Sequence, residues 1–407
     1  MLEGFLNKEF AQKAKEMGRK IKEYSGEKVV IIHHNDADGI CSGALLSKLC
    51  DLLGFESELI CIEKVHPAIV DIIHERNSGN LVIYTDLAGL AAKMIDEVNK
   101  GRCKVWIIDH HPARAIKSRD VFVFDPELFG IGGDMFVSAS TLNYILGSSI
   151  HKGMKRYAYL AVTGAVGDYH DRTGGVLGLD RFALDEAVSL KQVKIKIEGH
   201  KERYFVKFFD EFADVASDRL TTLGAVGYEK KGYRLGVKAC LEGFNRKTVH
   251  EAEKLKTMRE RKFNREIKRL KEGGLKMEEH TQWFHVEDRF SPMGVKTVGT
   301  FCQKIKDMSF IDEEKYLIGF QNCSKRIPDL GKVNWNLVKM SGRAPLPLER
   351  KIFKGEAIGF NFLVPKASEA VGGVADATHT IAAATLIEKG KEKEFIRAFE
   401  GLLEKQK

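Results

Sequence analysis

Residues 33–38 read His33-His34-Asn35-Asp36-Ala37-Asp38 and follow the apolar run Val29-Val30-Ile31-Ile32. Carboxylate and imidazole groups are ligands for divalent cations such as Mn²⁺ and Mg²⁺, and a buried strand beneath them would fix their geometry. The pattern recurs along the chain. Val82-Ile83-Tyr84-Thr85 runs into Asp86, and Val105-Trp106-Ile107-Ile108 runs into Asp109-His110-His111. The small-residue run Gly164-Ala165-Val166-Gly167 ends in Asp168. One Asp after a strand is ordinarily a helix cap or turn residue. Four such endings in order are harder to explain as caps, because like charges gathered on one edge repel unless cations neutralise them. In an open parallel sheet, ligands bind at the carboxyl ends of the strands, so these distant segments would converge there.

The elements that must position them follow from hydrophobic periodicity. Residues 4–24 carry Leu6, Phe10, Ala14, Met17 and Ile21 at three- and four-residue spacing, which predicts an amphipathic helix. Apolar runs at 28–33, 57–62, 80–85, 104–108 and 121–124 predict strands, and helical stretches at 41–53, 67–76 and 90–99 separate the first four. Such alternation predicts an α/β fold with a helix-covered parallel sheet. Residues 164–168 read as a further, Gly-rich strand. Beyond 180 the pattern becomes mainly helical, with a strand-like segment at Tyr233-Arg234-Leu235-Gly236-Val237. Residues 246–272 set Val249, Ala252, Leu255, Met258, Phe263, Ile267 and Leu270 among many Lys and Arg, and Gly273-Gly274 follows. This predicts one long basic linker helix with a glycine stop. It is compatible with an oligomerisation arm or a phosphate-tracking surface, although no strict heptad is sustained. Strand-like runs at 283–287, 316–320 and 334–340, then a helix at 391–404, predict a smaller α/β domain. The expected division is 1–185, 186–280 and 281–407.

The bulk composition narrows the class. A chain of 407 residues, 43% hydrophobic and 30% charged, suits a globular protein of two or three domains. No apolar run approaches the roughly 18 residues of a membrane span, and the amino terminus has no secretory h-region. The seven cysteines are scattered without a C-x-x-C pair, which predicts reduced thiols in a cytoplasm and no zinc knuckle. A formal charge of +8 suits a polyanionic partner and equally suits plain solubility.

His34-Asn35-Asp36-Ala37-Asp38-Gly39, the strand-end Asp86, Asp109-His110-His111 and the Gly-rich run into Asp168 together resemble the DHH phosphoesterase superfamily. Near the carboxyl end, Lys339-Met340-Ser341-Gly342-Arg343 and the stretch from Gly372-Gly373 to His379-Thr380-Ile381-Ala382-Ala383-Ala384 resemble its DHHA1 domain. The archaeal RecJ-like nucleases are the most similar group, and the long basic helix resembles that of the Hef-associated nuclease. Two departures stand out. Ala377-Thr378 and Ala384 occupy positions where the family has glycine, and His34 precedes Asp36 by two residues where some members have four.

The resemblance implies a parallel-sheet DHH domain, a linker helix and a DHHA1 domain. It also implies two divalent metals, Mn²⁺ in preference to Mg²⁺. His34, Asp36 and Asp86 would hold one, and Asp38, Asp86, His110 and Asp168 the other, with Asp86 bridging. Asp109 would orient a histidine, and His111 would bind the scissile phosphate or protonate the leaving group. Lys339, Ser341, Arg343, Gly372, Gly373 and His379 would contact substrate, the His379 loop standing ahead of a helix start. Trp283, Phe284, Trp335 and Phe362 are candidates for base stacking, a role that core packing competes with. The implied activity is a 3′ to 5′ exonuclease on single-stranded DNA or RNA in replication or repair. A replication or fork-repair helicase as partner and a homo-oligomer fit it. The alternatives are a phosphodiesterase of short oligonucleotides or cyclic dinucleotides, and a catalytically silent scaffold.

Overall fold

A computed structural model describes residues 8–26 and 28–404. They form two compact units, Met1–Glu253 with Ile327–Val333, and Lys254–Arg326 with Asn334–Lys407.

The first unit opens with α1 (Lys8–Glu23), which buries Phe10, Met17 and Ile21 as the periodicity predicts; residues 4–7, including Leu6, lie outside the described residues. Five parallel strands follow: β1 (Lys28–His33), β2 (Glu56–Cys61), β3 (Leu81–Thr85), β4 (Lys104–Ile108) and β5 (Val121–Phe124). The helices between them are α2 (Ala37–Leu53), α3 (Pro67–Arg76) and α4 (Ala92–Asn99). The sheet order is β2-β1-β3-β4-β5. After β1 the chain moves to β2 on one side, then returns to β3 on the other. The switch point therefore falls between β1 and β3, where a crevice opens at the carboxyl ends.

α2 is buried nearly all round, which its small residues Ala37, Gly39, Cys41, Ser42, Gly43 and Ala44 permit. α5 (Ala139–Ile150) and α6 (Ala158–Gly167) pack against it, and α7 (Gly178–Ser189) packs on α6. Here the structure corrects the sequence reading: Gly164–Gly167 end a helix, and Asp168 is its C-cap. An apolar run buried all round carries no period, so a core helix and a core strand look alike in sequence. The region after 186 is also less helical than expected. β6 (Val193–Glu198), β7 (Lys201–Val206) and β8 (Glu211–Phe212) make a small antiparallel sheet before α8 (Ala213–Thr221). Conversely, Tyr233–Val237 is the start of α9 (Tyr233–Glu242), whose buried Tyr233, Gly236, Val237 and Cys240 follow helical spacing.

The long basic helix is present as α10 (Arg246–Arg269), followed by a wide turn in which Gly273 takes φ 101°. The second unit begins within it, at Lys254. Phe263 faces inward, with its ring 5.2 Å from Phe290 and 5.0 Å from Phe301. Then come β9 (Lys276–Met277), β10 (Thr281–His285), α11 (Lys296–Ile305) and β11 (Tyr316–Asn322). The short pair β12 (Arg326–Ile327) and β13 (Gly331–Lys332) belongs, from Ile327 on, to the first unit, within which Asp329 takes ion pairs from Lys231 at 2.7 Å and Arg234 at 2.6 Å. β14 (Leu337–Arg343), α12 (Leu346–Phe353), α13 (Phe360–Ala370), β15 (Val374–Thr378), β16 (Ala382–Glu388) and α14 (Glu392–Glu404) complete the chain. The six-stranded sheet has the order β15-β16-β14-β11-β10-β9. Thus Ala382–Ala384 open a strand, and His379 lies on a hairpin turn where the sequence suggested a helix start. Among the described residues no helix is long and apolar enough to cross a membrane.

Candidate metal centre

β1, β3 and β4 deliver His34 with Asp36, Asp86, and Asp109 with His110 and His111 to the carboxyl edge of the parallel sheet. Among the described residues, three sets of ligand-type atoms lie within 4.8 Å of one another: His34-Asp36-Asp86, Asp86-Asp109-His110-His111 and His110-Asp168-His170. Asp86 and His110 are each shared between two sets.

Asp36 serves the fold and the cluster together. Its Oδ1 accepts the Gly39 N–H at 3.1 Å and caps α2, while Oδ2 lies 2.9 Å from His34 Nδ1. Asp86 is buried and sits at φ 62°, in the left-handed region that L residues rarely adopt. That strain turns the chain sharply off β3 and sets its carboxylate 3.5 Å from His34 Nδ1 and 3.3 Å from His110 Nε2. His110 Nδ1 donates to Gly133 O at 2.9 Å, which turns Nε2 toward the carboxylates, 3.5 Å from Asp168 Oδ2, and makes it the nitrogen that a cation would displace a proton from.

The sequence reading stopped at Asp168 and missed His170 and Asp180. His170 is buried, with Nε2 3.3 Å from Asp168 and Nδ1 2.6 Å from Asp180 Oδ2. Asp180 in turn accepts the Ser138 N–H at 2.9 Å. A carboxylate that fixes a histidine through its far nitrogen is the usual support of a metal-binding imidazole. The available signal was the Asp168-Tyr169-His170 spacing.

Asp38 belongs to none of the three ligand sets. Its Oδ2 accepts the Ala139 N–H at 2.8 Å and its Oδ1 the Ser140 N–H at 3.0 Å, so both oxygens engage the first turn of α5. It lies 3.8 Å from His110 Nε2. Gly164 makes this packing possible: a Cβ there would stand 2.4 Å from Asp38 Oδ1 and 2.1 Å from Ser140 Oγ. Asp109 is fully buried and orients His111, whose Nδ1 is 2.9 Å from its Oδ1, while Oδ2 accepts the Gly89 N–H at 2.8 Å. The His111 side chain is 46% exposed, so it faces solvent and is not packed beneath the sheet edge. His33 is buried, with Nδ1 2.7 Å from the His34 carbonyl, and burial lowers its imidazole to about 4.

Charge crowding governs the electrostatics. Burial, reinforced by Asp86 and Asp168, pushes the Asp38 carboxyl up to about 8. Burial opposes protonation of His110, yet Asp86, Asp168 and Asp38 hold it well above the ordinary range. Burial likewise opposes protonation of His170, but Asp168 and Asp180 raise it to about 9. The buried atoms Asp86 Oδ2, His110 Nε2 and His170 Nε2 have no hydrogen-bond partner among the described residues. Unsatisfied buried donors and acceptors are rare. Mixed carboxylate and imidazole atoms that converge to 3.3–3.5 Å of one another fit divalent cations.

In the second unit, Lys339, Ser341 and Arg343 alternate along β14 and share one face. Lys339 and Ser341 are buried. Arg343 bonds Gln303 Oε1 at 3.1 Å and Gly342 O at 2.7 Å, and has no carboxylate partner among the described residues. Arg343 pairs with Ala382, whose carbonyl takes the His379 N–H at 2.8 Å, so Arg343 and His379 meet at one end of the sheet. Gly372 and Gly373 precede β15 and therefore lie at its opposite end. Gly372 takes φ 70° after α13, and a Cβ on Gly373 would meet Leu386 O at 2.8 Å, so local packing accounts for both. Trp283, Phe284 and Trp335 are buried, whereas Phe362 is 38% exposed beneath Lys366.

Comparison with known proteins places this geometry. The DHH family, N-terminal domain, matches residues 28–165, the span that holds every cluster residue except Asp168 and His170. Residues 28–165 are thus similar to the N-terminal domain of the DHH family. The chain's fold over nearly its whole length is RecJ-like: RecJ of Thermus thermophilus in complex with Mn²⁺ superposes with a TM-score of 0.64 at 12% identity, covering 98% of this chain and 55% of that one. Exonuclease RecJ bound to manganese gives 0.61 at 15% identity, covering 98% and 95%. An uncharacterized protein of Methanocaldococcus jannaschii is 26% identical over 224 residues, 54% of this chain and 50% of that protein. The chain thus spans about half the length of the Thermus RecJ and of the Methanocaldococcus protein.

Proposed function

We propose that the chain is a metal-dependent exonuclease that hydrolyses phosphodiester bonds of single-stranded nucleic acid from an end, in the 3′ to 5′ direction. The observation that carries this is the pair of ligand sets joined through Asp86, His34-Asp36-Asp86 and Asp86-Asp109-His110-His111, on the crevice edge of the parallel sheet. Two cations, Mn²⁺ in preference, bound there would activate a water and stabilise the attacking and leaving oxygens of an in-line displacement. His34, Asp36, Asp86, His110, Asp168 and His170 are the residues we assign to hold them, with Asp38 bracing α5 beside the cluster. Asp109 holds His111 through Nδ1, which leaves Nε2 to give a proton to the departing oxygen. Arg343 and His379 suit the phosphates of the strand, Arg343 through a bidentate grip. The likeness of the fold to RecJ structures that hold manganese supports the metal reading.

The deciding experiment follows 5′- and 3′-labelled DNA and RNA strands of several lengths with Mn²⁺ and with Mg²⁺, in wild type and Asp86→Asn. Stepwise shortening of 5′-labelled strands with Mn²⁺, abolished in the variant, is the expected result. No cleavage with either metal would sink the proposal in favour of a silent scaffold. Cleavage confined to dinucleotides would replace it with a small-substrate phosphodiesterase.

A further inference from the structure

Tyr169 stands between Asp168 and His170, two members of one ligand set. Its side chain contributes little to the core, since the residue is 74% exposed. Its backbone is held at φ 61° just beyond the C-cap of α6. Its N–H reaches Val166 O at 3.1 Å, and the His170 N–H reaches Ala165 O at 3.0 Å, which closes the helix in a left-handed turn. Glycine or asparagine ordinarily fills that position, and a bulky residue is disfavoured there. Neither the turn nor the core therefore accounts for an aromatic ring. A second exposed aromatic, Phe136, lies three residues beyond Gly133, whose carbonyl holds His110; Phe136 is 43% exposed. Two exposed aromatic residues thus stand beside cluster residues in the chain, Tyr169 between two of them and Phe136 three positions after the residue that holds His110.

We infer that Tyr169 stacks on the base of the nucleotide whose phosphate lies at the cluster, so that the substrate is a base-bearing strand and not an inorganic polyphosphate. This rests on the nuclease reading above. An aromatic face accepts any base, which fits stacking that positions a strand without reading its sequence. Tyr169 is a positioning residue here; its ring sets where the phosphate comes to rest.

The test compares wild type, Tyr169→Phe and Tyr169→Gly on an intact oligonucleotide, the same strand abasic at its terminal nucleotides, and inorganic polyphosphate, all with Mn²⁺. In wild type and Tyr169→Phe, removing the terminal bases should raise KM roughly 5- to 150-fold, the range that stacking of about 1–3 kcal/mol per base corresponds to. In Tyr169→Gly the intact strand should already carry that penalty in KM, and base removal should add little. Its thermal midpoint should not fall, because glycine suits the positive φ. A wild-type KM for Tyr169→Gly on the intact strand would overturn the stacking alone. Impairment of Tyr169→Phe equal to that of Tyr169→Gly would do the same, as would polyphosphate hydrolysed faster than the strand. A wild type that cleaves no strand overturns the nuclease reading and the stacking with it.

Discussion

Asp180 touches no other member of the ligand sets except His170, yet it decides how that imidazole is presented. Its two oxygens divide the work: Oδ1 takes the Ser138 N–H and Oδ2 takes His170 Nδ1. With Nδ1 occupied, Nε2 is turned toward Asp168 at 3.3 Å, the atom through which His170 would bind a cation shared with that carboxylate. Substituting Asp180→Asn keeps the shape and removes the charge that favours this orientation. Loss of such a support typically weakens a metal site by about 10- to 100-fold. Titration of the folded protein with Mn²⁺, followed by calorimetry, should therefore give a weaker dissociation constant in that range for Asp180→Asn. An unchanged constant would remove His170 from the ligand set. His111 offers the contrast, since its support by Asp109 leaves it exposed and suits proton transfer better than ligation.

At the scale of elements, α6 is the piece that completes the cluster, and Gly164 sets how closely it approaches α2 and α5. A methyl group at 164 would collide with Asp38 Oδ1 and Ser140 Oγ, both held in a buried network. Overpacking of this kind typically costs about 1–3 kcal/mol. Gly164→Ala should lower the thermal midpoint by several degrees, at roughly 2–4 °C per kcal/mol, and should weaken Mn²⁺ binding as Asp38 and Asp168 shift. Gly401→Ala, in α14 with open space around it, is the control and should raise stability slightly. A midpoint for Gly164→Ala equal to that of the control would mean that α6 relaxes freely. The same elements explain what was legible in the sequence. β1 to β5 were readable because β-branched runs alternate with capped helices, and Asp36, Asp86, Asp109 and His110 follow strands directly. α6 was misread because burial on all sides erases periodicity. The β15–β16 hairpin was missed because Ala382–Ala384 have weak propensity for strand, and pairing with β14 decides their state. His170 was missed because it lies past a helix end, where spacing along a strand gives no guide.

For the whole molecule, the question is how a chain with a formal charge of +8 would meet the nucleic-acid strand proposed as its substrate. A cluster this rich in carboxylates repels a polyanion, so attraction must come from elsewhere on the surface. The exposed face of α10 carries Lys254, Arg261, Arg265 and Lys268, and β14 adds Arg343 without a carboxylate partner among the described residues. Cations that neutralise phosphates release condensed counterions, so binding of a single strand should weaken linearly in log–log form as salt rises, with a slope near −0.7 for each phosphate contacted. Binding of a labelled strand to the Asp86→Asn protein, measured over a salt series, reports this apart from cleavage. Arg343→Ala should weaken binding and make the slope shallower by about 0.7, because one phosphate contact is lost. In the active protein the same substitution should raise KM more than it lowers kcat, since Arg343 is assigned to hold the strand and not to act on the scissile bond. An unchanged slope with an unchanged KM would place the phosphate contacts on α10 or in the first unit, and a nearly flat slope in the parent protein would favour a dinucleotide over a polymer.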